Sequence, residues 1–513
     1  MPRSVRLYVV SVWMCVLAWL MISGSIAQTT SSTSPRHAKA PKIWDAKELT
    51  TWAVPIAGIN ATPHFYSEEE YYAAPVDNLR TYPVYHPDRE PKGYQEWLKK
   101  QGAQRLIEPE KIKTEQDWIR AGRRVFDELD VPILRTSDPR ALAYVRDRAA
   151  IKKDGLKLTK EGIIPSLRWI VDQSGEVKLT LSECASCHNR LMEDGTVVRG
   201  AQGNPNFGSQ VMGVLFEVFF KDFEKHGVSL QQAEYQQYGV PWVKDDIHER
   251  FKTMSVEEIN QVDGTPLPGT FARFNGSPYY ITKIPDLISV KDHRYLDHTG
   301  THLNRGPADI ARYAALVTVA DNGDIGLHKF LTDTQRRLLV RFSDEALFAL
   351  GKFIYSLEPP PNPNKFDALA KQGQKVFTQA GCAVCHTPPS YTNNMLMPVD
   401  GFEPPKNDPA SAQLHIFNLR VGTDPNLSLK TRKGTGYYKV PSLKGLWYRG
   451  LIEHSGSIAS LEEWFDAKRL RDDYVPSGWK GPGVKTRAVK GHEFGLNLSA
   501  TDKRALIAFL KTL

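Results

Sequence analysis

The sequence predicts a mainly α-helical protein built as two modules, with extended loops and few short strands. Three observations predict it. Apolar residues recur at helical spacing at Trp118, Ile119, Ala121 and Val125, through ADIARYAALVTVA (308–320) and DEALFALGKFIYSL (344–357), and in the closing SATDKRALIAFLKTL. The run EPPPNPN at 358–364 sets three successive prolines and a fourth in one stretch, which forbids helix and favours an extended spacer. The pentapeptide Cys-x-x-Cys-His occurs once on each side of that spacer, at Cys184–His188 and at Cys382–His386.

Residues 1–27 read as a secretory signal peptide. Arg3 and Arg6 form a positive start, Leu7 to Ile22 an apolar run short for a bilayer span, and Ser25-Ile26-Ala27 a small-residue cleavage site. No later segment reads as transmembrane, so the expected mature protein is exported, most simply to a periplasm. Residues 28–41 are a polar leader. Residues 42–357 form the first module. Within it, EKIKTEQDWIRAGRRVFDELD (110–130) has helical spacing, and SLRWIVDQSGEVKLTLSE reads as a hairpin turning at Ser174-Gly175. A hairpin just before the first cysteine pair makes this the less typical module. Residues 358–365 are the linker and 366–513 the second module. There KFDALAKQGQKVFTQAGCAVCH is a helix carrying Gly373 and Phe377 into the second pair. Ser499 caps a last helix with the stripe Leu506, Phe509, Leu510 and Leu513. The second module has the pattern of a small cytochrome c.

With 513 residues, 41% hydrophobic and 24% charged, the chain is globular and long enough for more than one domain. The formal charge of +8 falls by two, to +6, once Arg3 and Arg6 leave with the signal. Lys and Arg alternate with acids, which argues against a nucleic-acid protein and leaves a weak preference for an acidic partner.

Of five cysteines, Cys15 lies in the signal, and Cys184, Cys187, Cys382 and Cys385 are the two pairs. Three chemistries use such pairs. A zinc ribbon takes four thiolates and needs no histidine after each pair. A redox Cys-x-x-Cys wants a thioredoxin-like strand–helix context, which the Pro- and Gly-rich surroundings do not suggest. Covalent haem c uses both thiols for the porphyrin vinyl groups and the adjacent imidazole for the iron. Two copies behind a signal peptide, with no mature cysteine left over, point to two covalently bound haem c groups, with His188 and His386 as proximal iron ligands.

The sixth ligand separates electron transfer from catalysis. After His386 the methionines are Met395 and Met397, too close in sequence to cross to the opposite haem face. The remaining candidates are His415, Tyr437, Tyr438, Lys439, His454 and His492, with His492 in KGHEFGLNLS placed first. For the first haem the candidates are His64, His86, His226, His248, His293, His298, His302 and Met212. Arg305 and Arg312 suit haem propionates. Trp169, Trp242 and Trp447 are aromatic candidates for the space between haems.

GQKVFTQAGCAVCHTPP and YYKVPSLKGLWYRGLIEHSGSIASLEEWF (437–465) resemble the bacterial dihaem cytochrome c peroxidase superfamily, which includes a methylamine-pathway dihaem enzyme and dihaem rubber oxygenases. GHEFG near the end is similar to the oxygenase-like branch. The resemblance covers the C-terminal third well and the rest mainly through the paired motifs and their order. It implies two cytochrome c-like haem domains, an N-terminal haem that meets peroxide or oxygen, a C-terminal haem that feeds it electrons, a small cytochrome or cupredoxin as partner, and a calcium ion between domains whose ligands it does not locate. Where the peroxidases carry a distal Met, this chain has Tyr437-Tyr438-Lys439. The methylamine-pathway enzyme has a Tyr ligand near there, which keeps Tyr437 behind His492 as a distal candidate. The resemblance implies a haem peroxidase or related oxidoreductase. A non-catalytic electron-transfer cytochrome and an oxygenase cleaving an organic substrate are the alternatives, and no catalytic residue is assigned.

Overall fold

Two close helix crossings organise the molecule, and each is built on one glycine. In the computed structural model, which describes residues 39–225, 227–273, 275–319, 324–332, 340–406 and 412–513, helices α1 (Glu115–Glu128), α2 (Pro307–Val319) and α3 (Asp344–Tyr355) pack as one layer. Thr114 caps α1 through a reciprocal box with Asp117, satisfying orphan backbone donors at its start. A Cβ on Gly122 of α1 would lie 1.8 Å from the Ala349 carbonyl oxygen and 2.7 Å from Phe353 Cβ of α3. Only glycine permits that approach. One turn on, Phe126 meets Phe353 with ring centroids 5.4 Å apart.

The C-terminal part of the chain repeats this contact. Helix α4 (Ala368–Gln379) crosses helix α5 (Ala500–Lys511), and a Cβ on Gly373 would lie 1.9 Å from the Ala505 oxygen and 2.8 Å from Phe509 Cβ. Phe377 meets Phe509 at 5.4 Å. The spacing Gly-x-x-x-Phe against Ala-x-x-x-Phe thus occurs at both crossings. Ser499 caps α5 by accepting from the Asp502 N–H, and Leu506, Phe509 and Leu510 are buried as the stripe predicts.

The path of the chain beyond α4 differs from that beyond α1. After α4, Gly381 turns in the left-handed region at φ 75° and a 3-10 turn, Cys382–Val384, begins the second pentapeptide at once. After α1 the chain departs at Leu129 and returns at Glu183, whose N–H donates to the Leu129 carbonyl at 2.7 Å. The excursion carries the expected hairpin. Strand β1 (Thr81–Tyr85) pairs antiparallel with β2 (Ile163–Val171), and β2 with β3 (Val177–Leu181), around a turn at Gly175 with φ 84°. Tyr82, Leu98, Tyr144, Trp169, Leu179 and Leu215 form its core. Trp169 therefore belongs to this core.

Residues 358–364 form neither helix nor strand beyond one bend, as the prolines predict. No helix among the described residues is long and apolar enough to cross a membrane. The expected signal peptide and His226 lie outside the described residues.

Candidate functional site

Each pentapeptide presents its histidine in the same way. Helix Glu183–His188 ends on His188, whose Nδ1 lies 3.1 Å from the carbonyl oxygen of Pro285. His386 Nδ1 lies 3.1 Å from the carbonyl oxygen of Pro441 and 3.2 Å from that of Tyr391. A carbonyl can only accept, so both rings carry their proton on Nδ1 and leave Nε2 as the lone-pair nitrogen. This is the tautomer a metal-ligating imidazole needs, fixed by its other hydrogen bond. Burial pushes the His188 imidazole down to about 4 and lowers that of His386, so both are neutral at pH 7.

None of the four cysteines forms a disulfide, and burial raises their thiols, Cys187 to about 12. Among the described residues no three or more His, Cys, Asp or Glu side chains converge as a metal-holding group, so the four thiols do not form a zinc ribbon. The first pair does come directly after a strand, β3, contrary to the surroundings inferred from composition. That strand belongs to an antiparallel sheet, not the parallel βαβ unit of a thioredoxin-like site. The residues present suit a covalent porphyrin: two thiols and a correctly protonated imidazole at each place.

Close to His386 stands His492. Their ring centroids are 6.2 Å apart with planes at 55°. An imidazole nitrogen binds a metal at about 2 Å, so two rings gripping one ion from opposite sides have centroids roughly 6 Å apart. Among the described residues, His492 Nδ1 is buried without a hydrogen-bond partner. The loop that carries it is held in an unusual shape. His492 has φ 46°, and Gly491 packs so that a Cβ there would lie 2.2 Å from the Gly422 carbonyl carbon. Arg469, 0% exposed, donates to the carbonyls of Trp464, Val489, Gly491 and His492, and its guanidinium lies 4.5 Å over the Trp464 ring. Tyr437 sits elsewhere, packed edge-on against Phe402 at 5.0 Å. Tyr438 stacks on His454 at 4.5 Å, and His454 pairs with Glu453.

Around His188 the arrangement is different. Among the ring contacts of the described residues, none sets an imidazole against His188. The charges that bear on it are Arg273 and Asp297. Asp297, at φ 59°, accepts from the Tyr313 hydroxyl and from Thr301 Oγ at 3.0 Å, with Lys433 at 3.6 Å. Burial opposes its charge, but Lys433, Arg273 and Tyr313 outweigh burial and hold the carboxyl well below the usual range. Most of the histidines proposed for the first haem are otherwise engaged. His298 Nε2 lies 2.9 Å from the Lys283 oxygen and His248 bridges Asp246 and Ser277. His302 packs 4.2 Å from Trp52 and holds Thr301 through Nδ1, while its Nε2, like that of His293, is buried without a hydrogen-bond partner among the described residues. Met212 is in the hairpin core, and His86 pairs with Asp88. Arg305 and Arg312 both bind Asp309 at the start of α2, so the expectation that they serve propionates gives way to this local pairing.

One relationship was missed in the sequence. KIPDLISVKDHRYLDHTG (283–300) and KVPSLKGLWYRGLIEHSG (439–456) align without gaps, sharing Lys, Pro, Leu, His and Gly. The alignment holds in backbone shape: Ser289 and Gly445, Asp297 and Glu453, and Gly300 and Gly456 all have positive φ. The repeats clasp each other, Lys283 N–H donating to the His454 carbonyl at 2.9 Å and Lys439 N–H to that of His298 at 3.0 Å. Pro285 and Pro441, the acceptors for the two proximal histidines, occupy equivalent positions. Burial pushes the equivalent Lys283 and Lys439 each down to about 8. A search for internal repeats would have found the signal.

No protein-family model matches the chain, and no curated protein matches it in sequence. Among solved structures it is similar to a MauG-like protein associated with microbial copper homeostasis, at 16% identity over 51% of this chain and 82% of that one, with a TM-score of 0.29. It is also similar to hydrazine synthase of Kuenenia stuttgartiensis, at 15% identity over 56% of this chain and 88% of that one, with a TM-score of 0.28.

Proposed function

We propose that the chain is an exported dihaem c-type redox enzyme, similar to cytochrome c peroxidase, that uses peroxide or oxygen at the His188 site and moves electrons through the His386 site. The observation that carries this reading is the asymmetry between the sites. His492 faces His386 at 6.2 Å, whereas no described imidazole pairs with His188. Haem supplies an iron that exchanges single electrons and, where its sixth position is open, takes up peroxide or oxygen. The chain's own residues divide the labour. Cys184 and Cys187, and Cys382 and Cys385, would tether the two groups, and His188 and His386 would each ligate an iron. His492 closes the second site. Tyr437, buried against Phe402, is the less favoured ligand there. Asp297 and Tyr313, with Lys433 and Arg273, set an ionised, hydrogen-bonded carboxylate and cations near the first site. The electron donor is a small cytochrome or cupredoxin.

The test is made on the mature protein from a host competent in cytochrome maturation. Mass spectrometry is expected to find two porphyrins, and low-temperature electron paramagnetic resonance one high-spin and one low-spin iron in the oxidised form. Peroxide consumption with a reduced small cytochrome as donor is expected as well. Low-spin signals alone in every redox state would overturn the catalytic reading in favour of a plain electron-transfer cytochrome. Oxygen consumption on an organic substrate, with peroxide ignored, would favour an oxygenase.

A further inference from the structure

The carbonyls that receive the two proximal histidines come from equivalent prolines, and the residues after those prolines are joined by one side chain. Asp286 comes after Pro285, and Ser442 after Pro441. Arg449 Nε donates to Asp286 Oδ2 at 2.6 Å, and Arg449 Nη1 donates to the Ser442 carbonyl at 2.8 Å. Tyr448 OH donates to the same Asp286 oxygen at 3.0 Å. Both charged side chains are largely removed from water, at 12% and 5% exposure. The connection therefore runs without a gap: His188, Pro285-Asp286, Arg449, Ser442-Pro441, His386.

We propose that Arg449 and Asp286 form a shared positioning pair for the two iron sites, linking the hydrogen-bond shells of both proximal histidines so that a change in the pair is felt at both irons. This pairing rests on the dihaem reading of the function. Its physical basis is that a ligand imidazole's basicity and orientation are set by the group that receives its Nδ1–H. Here each receiving carbonyl belongs to a peptide whose next residue is gripped by the same guanidinium. A planar fork can hold a carboxylate and a carbonyl at once, which a lysine ammonium cannot do with the same geometry. The pair is also sheltered, so its charges act over a longer range than surface charges do.

The experiment is a spectroelectrochemical titration of both haems in the full mature protein and its variants. Asp286→Asn keeps the side chain's shape and removes its negative charge, leaving Arg449 unbalanced. Both midpoint potentials are expected to rise, because unbalanced positive charge favours the reduced iron. Arg449→Gln leaves Asp286 unbalanced, and both potentials are expected to fall. The double variant is expected to return both towards wild type. Shifts confined to one haem, shifts of the same sign in both single variants, or no shift at all would each overturn the proposal, and a pair that only supports the fold gives no such opposed pattern. Should Arg449→Gln not accumulate, Asp286→Asn decides alone by whether both potentials rise. A mature protein with no covalent porphyrin overturns the dihaem reading and the shared pair together. A dihaem protein whose potentials ignore these charges overturns the pair alone.

Discussion

The imidazole of His492 faces that of His386 across a gap of 6.2 Å between ring centroids, the span that two nitrogens leave when both bind one metal ion. On the dihaem reading proposed above, His492→Ala is expected to convert the second haem from low-spin to high-spin, read by electron paramagnetic resonance and by the optical spectrum. His492→Met is expected to keep it low-spin while raising its potential, since a thioether favours the reduced iron. An unchanged low-spin spectrum in His492→Ala would transfer the role to another residue.

Arg469 holds the loop that presents His492. Its donors satisfy four backbone carbonyls while the side chain itself is fully buried. Arg469→Ala strands those acceptors and is expected to cost about 3 kcal/mol or more. Arg469→Lys keeps the charge but loses the planar fork and is expected to recover only part. Urea denaturation gives the stability, and the fraction of low-spin second haem reports whether His492 has lost its place.

The two helix crossings are expected to respond alike to one added methyl group. Gly122→Ala and Gly373→Ala would each drive a Cβ to under 2 Å from a backbone oxygen, Ala349 in one case and Ala505 in the other. Overpacking of a tight contact costs about 1–3 kcal/mol, and more where backbone must move. Gly213→Ala, where a Cβ meets nothing within 4 Å, is the control and is expected to be neutral or to gain about 0.5 kcal/mol. Thermal unfolding midpoints check all three.

Buried Glu234 and half-buried Asp263 form a carboxyl pair. Burial raises both, Glu234 further through Asp263, and Asp263 reaches about 7. These groups keep protons in the folded state that the unfolded chain releases above its ordinary carboxyl range. Stability therefore falls as pH rises from about 4 to 7, with a slope of up to about 1.4 kcal/mol per pH unit for each retained proton. Asp263→Asn and Glu234→Gln remove the titration. Each is expected to flatten the urea midpoint against pH and to gain stability at pH 7. A wild-type midpoint that does not fall between pH 5 and 7 would contradict the buried, protonated state.

Several elements were legible because their causes are local. The Ser499 cap, the Gly175 turn and the proline run each depend on a few neighbouring residues, and all appear where the spacing predicts. The first helix crossing was harder to see as a counterpart of the second. The chain between Leu129 and Glu183 leaves α1 and returns to it, so the helix and the cysteine pair, adjacent in space, are far apart in sequence. Gly122 and Phe126 carry the same pattern as Gly373 and Phe377. Their meaning emerges only when Ala349 and Phe353 are seen against them.

By itself the sequence determined the two places suited to porphyrin attachment and the histidines beside them, because thiol, thiol and imidazole must lie within one turn of chain to meet the same ring. The sequence placed His492 first among several candidates opposite His386, and tertiary structure decided that it lies 6.2 Å from His386, which carbonyls orient His188 and His386, and which arginine joins them. His492, Pro285, Pro441 and Arg449 are each separated from their partners by tens of residues or more. The clasp of the two repeats, with reciprocal backbone bonds between Lys283 and His454 and between Lys439 and His298, helps to bring the two proximal shells within reach of one guanidinium.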